Sequence, residues 1–558
     1  MKSFDKITPE GTRELLFEES RSRKEIIDLL HKIFSESDFH QVVTPGFEFY
    51  DVFSSAGTYY PQESMFKSVD NKGRIMVARP DSTIPIARLV CSRLKDYPMP
   101  LKLYYEQNVY RNNPGLRGKS NEILQMGVEL IGDSSFESDV EILALGAKTL
   151  AACATGDARI ELGHVGIFKL LMDRFNDDQD KKSTIHQFIS SKNYAALSAK
   201  LDKEPLDQAT EILKELPKLF GGREVFNKAR ELFDGYDKRL LEMLGYLEAV
   251  YDAITDLGLE DRVIIDFGLV NQADYYSSLV FKGYVSNARE AVLSGGRYDN
   301  LLKDFGCDFP ATGFAVNVDQ IAAVNMEQKG ADKAAAAEGR LRIALTKGRL
   351  EKRAIELFEK MGFDCSGLYD KGRKLFIDIP GQNIELVFGK AGDVITYVEH
   401  GVCDMGIVGM DTIMEQGGNF YEVLDLGFGK CRFALAAPQG KDFYSGHSVK
   451  KVATKYPNIT RDYFEEKGMD VQIIKIEGSV ELAPLLSLAD GIVDLVETGE
   501  TLKQNGLAIV NDIRNVSARL IVNEISMKLK KIATDSFIDN IVRNMPVREV
   551  TAIDLQNK

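Results

Sequence analysis

Between Met326 and Arg340 the chain reads Met-Glu-Gln-Lys-Gly-Ala-Asp-Lys-Ala-Ala-Ala-Ala-Glu-Gly-Arg, a stretch with almost nothing to bury. Such a segment suits a tether between folded parts better than the interior of one, and Gly330 and Gly339 bracket its alanine run. A surface helix would have a similar composition. The choice is tipped by Leu341-Arg342-Ile343-Ala344-Leu345, a buried-strand pattern that begins afresh. The expected division is therefore a first part over 1–325, a linker over 326–340 that is partly helical, and a second part over 341–558. A length of 558 residues fits this multidomain reading, because one hydrophobic core does not grow so large.

The two parts differ in pattern. Upstream, apolar residues at helical spacing between 12 and 35 predict an amphipathic helix. Strand-like runs follow at Gln41–Thr44, Ile75–Arg79, Lys102–Glu106 and Gln125–Ile131, with further strands at Val263–Phe267 and Ser277–Tyr284. The interval 165–255 is richer in helical patterns and reads as an inserted helical subdomain. Strands grouped around helices without regular alternation predict α+β with a mainly antiparallel sheet. Downstream, strands and helices alternate from Arg342–Leu345 to Met405–Gly409, which predicts α/β with parallel strands.

Several functions are disfavoured by composition. A net charge of −14 argues against a broad nucleic-acid surface. The six cysteines are scattered without a C-x-x-C pair, and the six histidines lack ligand spacing, so neither a disulfide framework nor a structural zinc is expected. Neither a signal peptide at the N-terminus nor an apolar run of ~20 residues is seen, so no membrane association is expected and the location is expected to be cytoplasmic.

The chemistry concentrates in the second part. The apolar strand Ile492–Val496 runs into Glu497-Thr498-Gly499-Glu500-Thr501 and then a helix. Such a turn aims backbone N–H groups and threonine hydroxyls at one point on a helix N-terminus, which suits a phosphate. An ordinary capped helix uses the same residues, and taken alone it is the commoner outcome. Lys347-Gly348-Arg349 follows the first strand of this part, Gly372-Arg373-Lys374 makes a second cationic turn, and Glu477–Pro484 adds a small-residue turn with Glu481. Together these turns converge on polyanion binding. Walker, dinucleotide-fingerprint, Ser-His-Asp and Cys-His patterns are not found.

Over 341–545 the chain closely resembles the short form of ATP phosphoribosyltransferase. The resemblance is carried in order by Leu345–Arg349, Gly372–Leu375, Tyr397–Gly401, Gly406–Gly409, Ala453–Asn458, Glu477–Pro484 and Asp494–Leu502. It implies a two-lobed fold like that of periplasmic binding proteins, with one lobe over about 341–435 and 517–558 and the other over about 436–516. The implied crossings lie near Arg432–Ala437 and Ala518–Asn523. The implied reaction joins adenine N1 of ATP to the anomeric carbon of phosphoribosyl pyrophosphate (PRPP), with magnesium riding on the pyrophosphate and no metal site on the protein. On the family pattern Lys347, Arg373 and Lys390 are catalytic, and Gly348 and Arg349 meet the polyphosphates. Glu497, Thr498, Gly499, Glu500 and Thr501 hold the 5′-phosphate, while Glu481 and Asp494 lie near the ribose. Lys390 stands where the family usually has arginine, which exchanges a bidentate fork for a point charge.

Residues 1–322 resemble the catalytic domain of class II histidyl-tRNA synthetase. The matching stretches are Arg79–Thr83, Tyr110–Gln125, Asp274–Tyr276, Gly295–Asp299 and Pro310–Ala315. The ATP-holding residues of that family are replaced by Asn113, Lys119, Asn121, Asn271 and Gln320, and the anticodon-binding domain gives way to the transferase. Amino-acid activation without those cations loses its main transition-state stabilisation. The pattern therefore resembles the regulatory subunit that partners short-form ATP phosphoribosyltransferase. This implies histidine as inhibitor, held by Asp81, Thr83, Arg111, Gln125, Glu129, Tyr275 and Tyr276, and a homo-oligomer as the working state. A solute-binding module, an active synthetase and a scaffold remain as rival readings.

Overall fold

The computed structural model describes residues 5–54, 62–113, 119–175, 178–190, 192–205, 207–269, 275–286, 288–330, 340–369, 372 and 374–545. Arg373, Asn271 and Asp274 therefore lie outside the described residues, as do 331–339 of the expected linker. The chain forms two compact units, Met1–Ala335 and Ala336–Lys558. Among the described residues no helix is long and apolar enough to cross a membrane.

The first unit is built on a nine-stranded sheet. Its order is His40–Gln41, Leu101–Tyr110, Glu122–Ile131, Ala311–Asn317, Leu293–Arg297, Leu279–Val285, Ala158–His164, Val263–Asp266 and Phe220–Gly221. All neighbours are antiparallel except the first pair and the pair of Ala158–His164 with Val263–Asp266, in keeping with the mainly antiparallel sheet expected. A three-stranded sheet pairs Phe47–Phe49 and Lys67–Val69 with Ile75–Ala78. Helices occupy much of 165–256, from Val165–Met172 to Lys238–Asp256. The first long helix is Phe17–Glu36 and buries Ile26, Leu30 and Phe34, spaced four residues apart on one face. Leu15 and Leu16 precede its first turn, although their apolar character suggested that they belonged to it. The helix Val318–Gly330 carries the chain into the alanine-rich stretch, so the first five residues of the 326–340 span are helical.

The second unit holds two sheets. In the six-stranded one, Leu341–Thr346 is parallel to Ile384–Gly389 and to Met405–Gly409. Phe376–Asp378, Ala518–Val522 and Tyr421–Asp425 run antiparallel to their neighbours. The expectation of parallel strands thus holds for Ile384–Gly389, Leu341–Thr346 and Met405–Gly409. Phe376–Asp378 turns back into Ile384–Gly389 through a hairpin at Gly381, and Ala518–Val522 returns from the other sheet to lie between Met405–Gly409 and Tyr421–Asp425. In the five-stranded sheet Lys450–Thr454 is parallel to Val471–Lys475 and Gly491–Val496, and Cys431–Pro438 lies antiparallel between Gly491–Val496 and Leu507–Val516.

The chain passes between the sheets at 426–430 and at Ser517. The first passage comes earlier than the changeover near 435 read from the sequence. Arg432–Ala437 lies wholly inside the five-stranded sheet, because Phe433 and Leu435 are completely buried in its core. Phe433 meets the ring of Tyr456 edge-on at 4.9 Å. Phe433→Ala should lower the stability of the second unit by ~3–5 kcal/mol, the usual cost of an unfilled aromatic site. Urea unfolding followed by circular dichroism measures this, and an unchanged midpoint would contradict the assigned core.

Candidate active site and candidate ligand pocket

In the second unit the loops at the carboxyl ends of the parallel strands carry the charged residues. Leu341–Thr346 ends at Lys347, whose N–H donates to Gly389 O at 2.9 Å. Gly348 adopts φ +98°, a conformation that favours glycine, and the helix Arg349–Lys360 starts immediately after it. Ile384–Gly389 ends at Lys390, which precedes the helix Ala391–Glu399. Lys347, Arg349 and Lys390 are all exposed at these ends. In the other sheet Gly491–Val496 leads to Glu497 and Thr498, and Gly499 turns the backbone at φ +82° before Glu500. The Thr498 hydroxyl oxygen accepts the Glu500 N–H at 3.4 Å, and Thr501 is exposed in the first turn that follows.

The structure joins these two loops, because the Arg349 guanidinium pairs with the Glu497 carboxylate. It also joins Glu481 with Asp494. Burial pushes the Asp494 carboxyl up to about 6, and the nearby Glu481 charge adds to the rise while Lys455 opposes it. Four further residues, Lys455, Tyr456, Asp411 and Cys431, belong to the same neighbourhood and were not singled out from the sequence. The Tyr456 hydroxyl donates to Asp411 at 3.3 Å. Burial first, then Asp411 and Asp494, raise the Tyr456 hydroxyl above its ordinary range. The half-buried Cys431 thiol is raised by burial and by Asp411, with Arg349 and Glu497 also acting on it. Lys455 and Tyr456 fall inside the matched stretch Ala453–Asn458, which was the available signal. Asp411 sits 45 positions before Tyr456, and nothing local in the sequence marks it.

In the first unit a buried carboxyl organises the pocket. Glu129 lies on Glu122–Ile131, on the same face as Gln125 two pairs of residues earlier. The Thr83 hydroxyl donates to Glu129 at 2.6 Å, and the Tyr298 hydroxyl donates to its other oxygen. Asp81 accepts the Ile84 N–H at 3.0 Å and so starts the helix Thr83–Leu89. The rings of Tyr275 and Tyr276 are tilted by 40° with centroids 4.7 Å apart, and Tyr275 meets Tyr298 edge-on at 5.8 Å. The pair Gly313 and Gly127 keeps the floor clear: a Cβ on Gly313 would strike the Glu129 carboxylate, and one on Gly127 would strike the Tyr105 hydroxyl. Arg111 donates from Nε to Pro80 O at 3.0 Å, which fixes the turn that presents Asp81.

Burial pushes Glu129 up to about 8, against the pull of the Thr83 and Tyr298 donors and with a small push from Asp81. Desolvation thus favours the protonated form of this carboxyl.

The positions that depart from synthetase chemistry now serve the backbone. Asn113 donates to Ser120 O at 3.0 Å and to Arg111 O at 3.3 Å, and its N–H goes to the Asn121 side chain at 3.0 Å. Asn121 donates to Glu10 O at 3.0 Å. The Gln320 amide, oriented to satisfy its neighbours, accepts the Arg289 and Glu290 N–H groups at 3.1 and 3.2 Å. Lys119 lies 3.8 Å from Glu290. Asn113, Asn121 and Gln320 thus satisfy main-chain groups, and none of them carries a charge.

The first unit has a class II synthetase-like fold, and the second carries charged turns where its strands lead into helices. The sequence pattern of the family described as Histidyl-tRNA synthetase matches residues 11–321, and that described as ATP phosphoribosyltransferase matches 390–545. An ATP phosphoribosyltransferase regulatory subunit from Clostridium botulinum is 42% identical over 324 residues, covering 58% of this chain and 76% of its own length. An ATP phosphoribosyltransferase from Clostridium kluyveri is 60% identical over 204 residues, covering 37% of this chain and 93% of its own. The crystal structure of an ATP phosphoribosyltransferase regulatory subunit/histidyl-tRNA synthetase from Bacillus halodurans superposes with TM-score 0.54 at 28% identity, over 69% of this chain and 94% of that one. The chain thus belongs to the ATP phosphoribosyltransferase family through its second unit and to the family's synthetase-like regulatory subunits through its first, fused in one polypeptide.

Because the folded-state pKa of Glu129 is raised, its contribution to stability is full below its ordinary 4.5, falls as pH rises and is lost above about 8. Glu129→Gln keeps a similar shape but does not titrate. Its unfolding free energy should therefore fall less than the parent's across that window, by a few kcal/mol at most. Denaturant unfolding of both proteins through the window reads the difference, and parallel pH profiles would refute the buried protonated state.

Proposed function

We propose that the second unit transfers the phosphoribosyl group of PRPP to adenine N1 of ATP with loss of pyrophosphate, and that histidine bound in the first unit turns this reaction down. The observation that carries the transfer is the meeting of Arg349 and Glu497, with Asp494 and Glu481 beside the same loop. The reaction needs no protein nucleophile, since the adenine nitrogen attacks and pyrophosphate departs. The protein's task is to orient two polyanions and to balance the charge that develops on the leaving group. In this reading Lys347, Arg349, Arg373 and Lys390 face the polyphosphates, with Gly348 letting the backbone turn beneath them. Thr498, Gly499, Glu500 and Thr501 seat the 5′-phosphate, and Asp494 with Glu481 takes the ribose hydroxyls.

Among the described residues no group of three or more His, Cys, Asp or Glu side chains is placed to hold a metal ion. In this reading magnesium arrives with the substrates and neutralises the pyrophosphate, and Asp494 and Glu481 are the carboxylates that would meet it. The six- and five-stranded sheets serve as the cores of two periplasmic-binding-protein-like lobes, with the substrates between them. The regulatory part is 1–325, joined through 326–340 to a catalytic part over 341–558. We place the protein in the cytoplasm as a homo-oligomer, binding neither nucleic acid nor membrane. An adenylate-forming synthetase is disfavoured by the backbone-bound Asn113 and Asn121.

The combined variant Thr498→Ala and Thr501→Ala removes two hydroxyls from the phosphate seat. Charge-assisted bonds contribute ~1.5–3 kcal/mol each, so the KM for PRPP should rise at least tenfold in the folded protein. An unchanged KM for PRPP in steady-state phosphoribosyl-ATP formation would remove this loop from the site.

Histidine inhibits only to the extent that it prefers the less active state, and a coupling of ~1–3 kcal/mol is ordinary for such links. In the pocket a histidine ammonium or imidazolium would meet Glu129 and Asp81, between Tyr275, Tyr276 and Gln125. Glu129→Ala should keep uninhibited turnover near the parent value and raise the histidine concentration for half-inhibition more than tenfold. Inhibition matching the parent's would place the sensor elsewhere.

A further inference from the structure

We propose that Cys91 and Cys307 form a redox modification site, a pair of adjacent thiols that a low-molecular-weight disulfide converts into an intrachain disulfide. Cys91 lies in the turn Val90–Leu94 that continues the helix Thr83–Leu89. Cys307 lies between the turn Leu301–Phe305 and the strand Ala311–Asn317. Far apart in sequence, the two meet at one carbonyl: Cys91 Sγ donates to Leu302 O at 3.6 Å, and the Cys307 N–H donates to the same oxygen at 3.0 Å. Both side chains are half-buried against the apolar cluster that contains Leu301 and Leu302. Of the six cysteines, Cys153, Cys365 and Cys403 are buried and Cys431 belongs to the transferase site. Burial, and next the neighbouring Cys307 sulfur, push the Cys91 thiol up to about 12.

That environment sets the order of events. Gly306 and Asp308 on either side of Cys307 are exposed, so Cys307 meets a small disulfide first. Its thiolate attacks one sulfur of the reagent, forms a mixed disulfide and expels one thiolate. Cys91 then gives its proton to solvent and attacks the Cys307 sulfur, expelling the second thiolate. Two protein thiols are oxidised and one reagent disulfide is reduced to two thiols. The second step is slow at neutral pH, because the thiolate of Cys91 is scarce. The bond fastens the helix that begins at Thr83 to the segment leading into Ala311–Asn317, so two stretches flanking Glu129 lose freedom to move independently.

The test uses the full chain and oxidised glutathione. After exposure, free thiols are alkylated under denaturing, non-reducing conditions and the peptides are mapped by mass spectrometry. The expected product is a single Cys91–Cys307 linkage with two glutathione thiols released per chain. Backbone amide exchange over 83–94 should slow by ~threefold or more relative to the reduced protein, since local opening now strains the cross-link. In Cys307→Ser the linkage should disappear while phosphoribosyl-ATP formation continues. A lasting glutathione adduct on Cys91 or Cys307, a linkage through any other cysteine, or complete alkylation of all six would overturn the proposal in the parent protein alone.

Discussion

The second unit depends on its chain passing twice between two sheets. Cys431–Pro438 enters the five-stranded sheet as a buried antiparallel strand, and Leu507–Val516 leaves it beside that strand before Ser517 returns the chain to the other sheet. These two passages hold the loops after Leu341–Thr346 and after Gly491–Val496 in reach of one another, so that Arg349 finds Glu497 and Tyr456 finds Asp411. Neither sheet alone assembles this site. The apolar packing of Phe433 beneath Tyr456 is therefore also the foundation of the polar cluster.

The first unit relies on a different kind of constraint, a buried carboxyl held by neutral hydroxyl donors. Two hydroxyl donors, from Thr83 and Tyr298, hold Glu129 in place, and two glycines keep space around it. A protein that needed only a stable sheet would gain from an apolar residue here, since an uncompensated buried acid is costly. Elsewhere in the unit Asn113, Asn121 and Gln320 bond to main-chain groups of neighbouring segments.

The antiparallel strands of the first unit were legible because alternation and strand-length apolar runs survive in the sequence, as at Gln125–Ile131. The parallel inner strands of the second were legible because apolar runs recur between amphipathic helices. The boundary near 435 was misplaced for a physical reason. A strand that is buried on both faces gives one continuous apolar run, here Phe433–Ala437, and that run contains no sign of which sheet it belongs to. The beginning of the alanine-rich span at 326 was likewise blurred, because helix-forming composition continues through Gly330.

By itself the sequence determined that there are two parts, that the second carries cations and glycines at its strand ends, and that the first carries polar residues at Asp81, Thr83, Gln125 and Glu129. Those features are local: a turn, a glycine, a charge at a strand terminus. Only the tertiary structure decided which of them meet. It placed Arg349 against Glu497 and Glu481 against Asp494, it brought in Asp411 and Tyr456, and it set Cys91 and Cys307 on one carbonyl. It also raised Glu129 and Asp494 above their ordinary carboxyl range. Desolvation and long-range contact belong to the packed chain, and sequence spacing does not reveal either, because residues hundreds of positions apart become neighbours only when the sheets close around them.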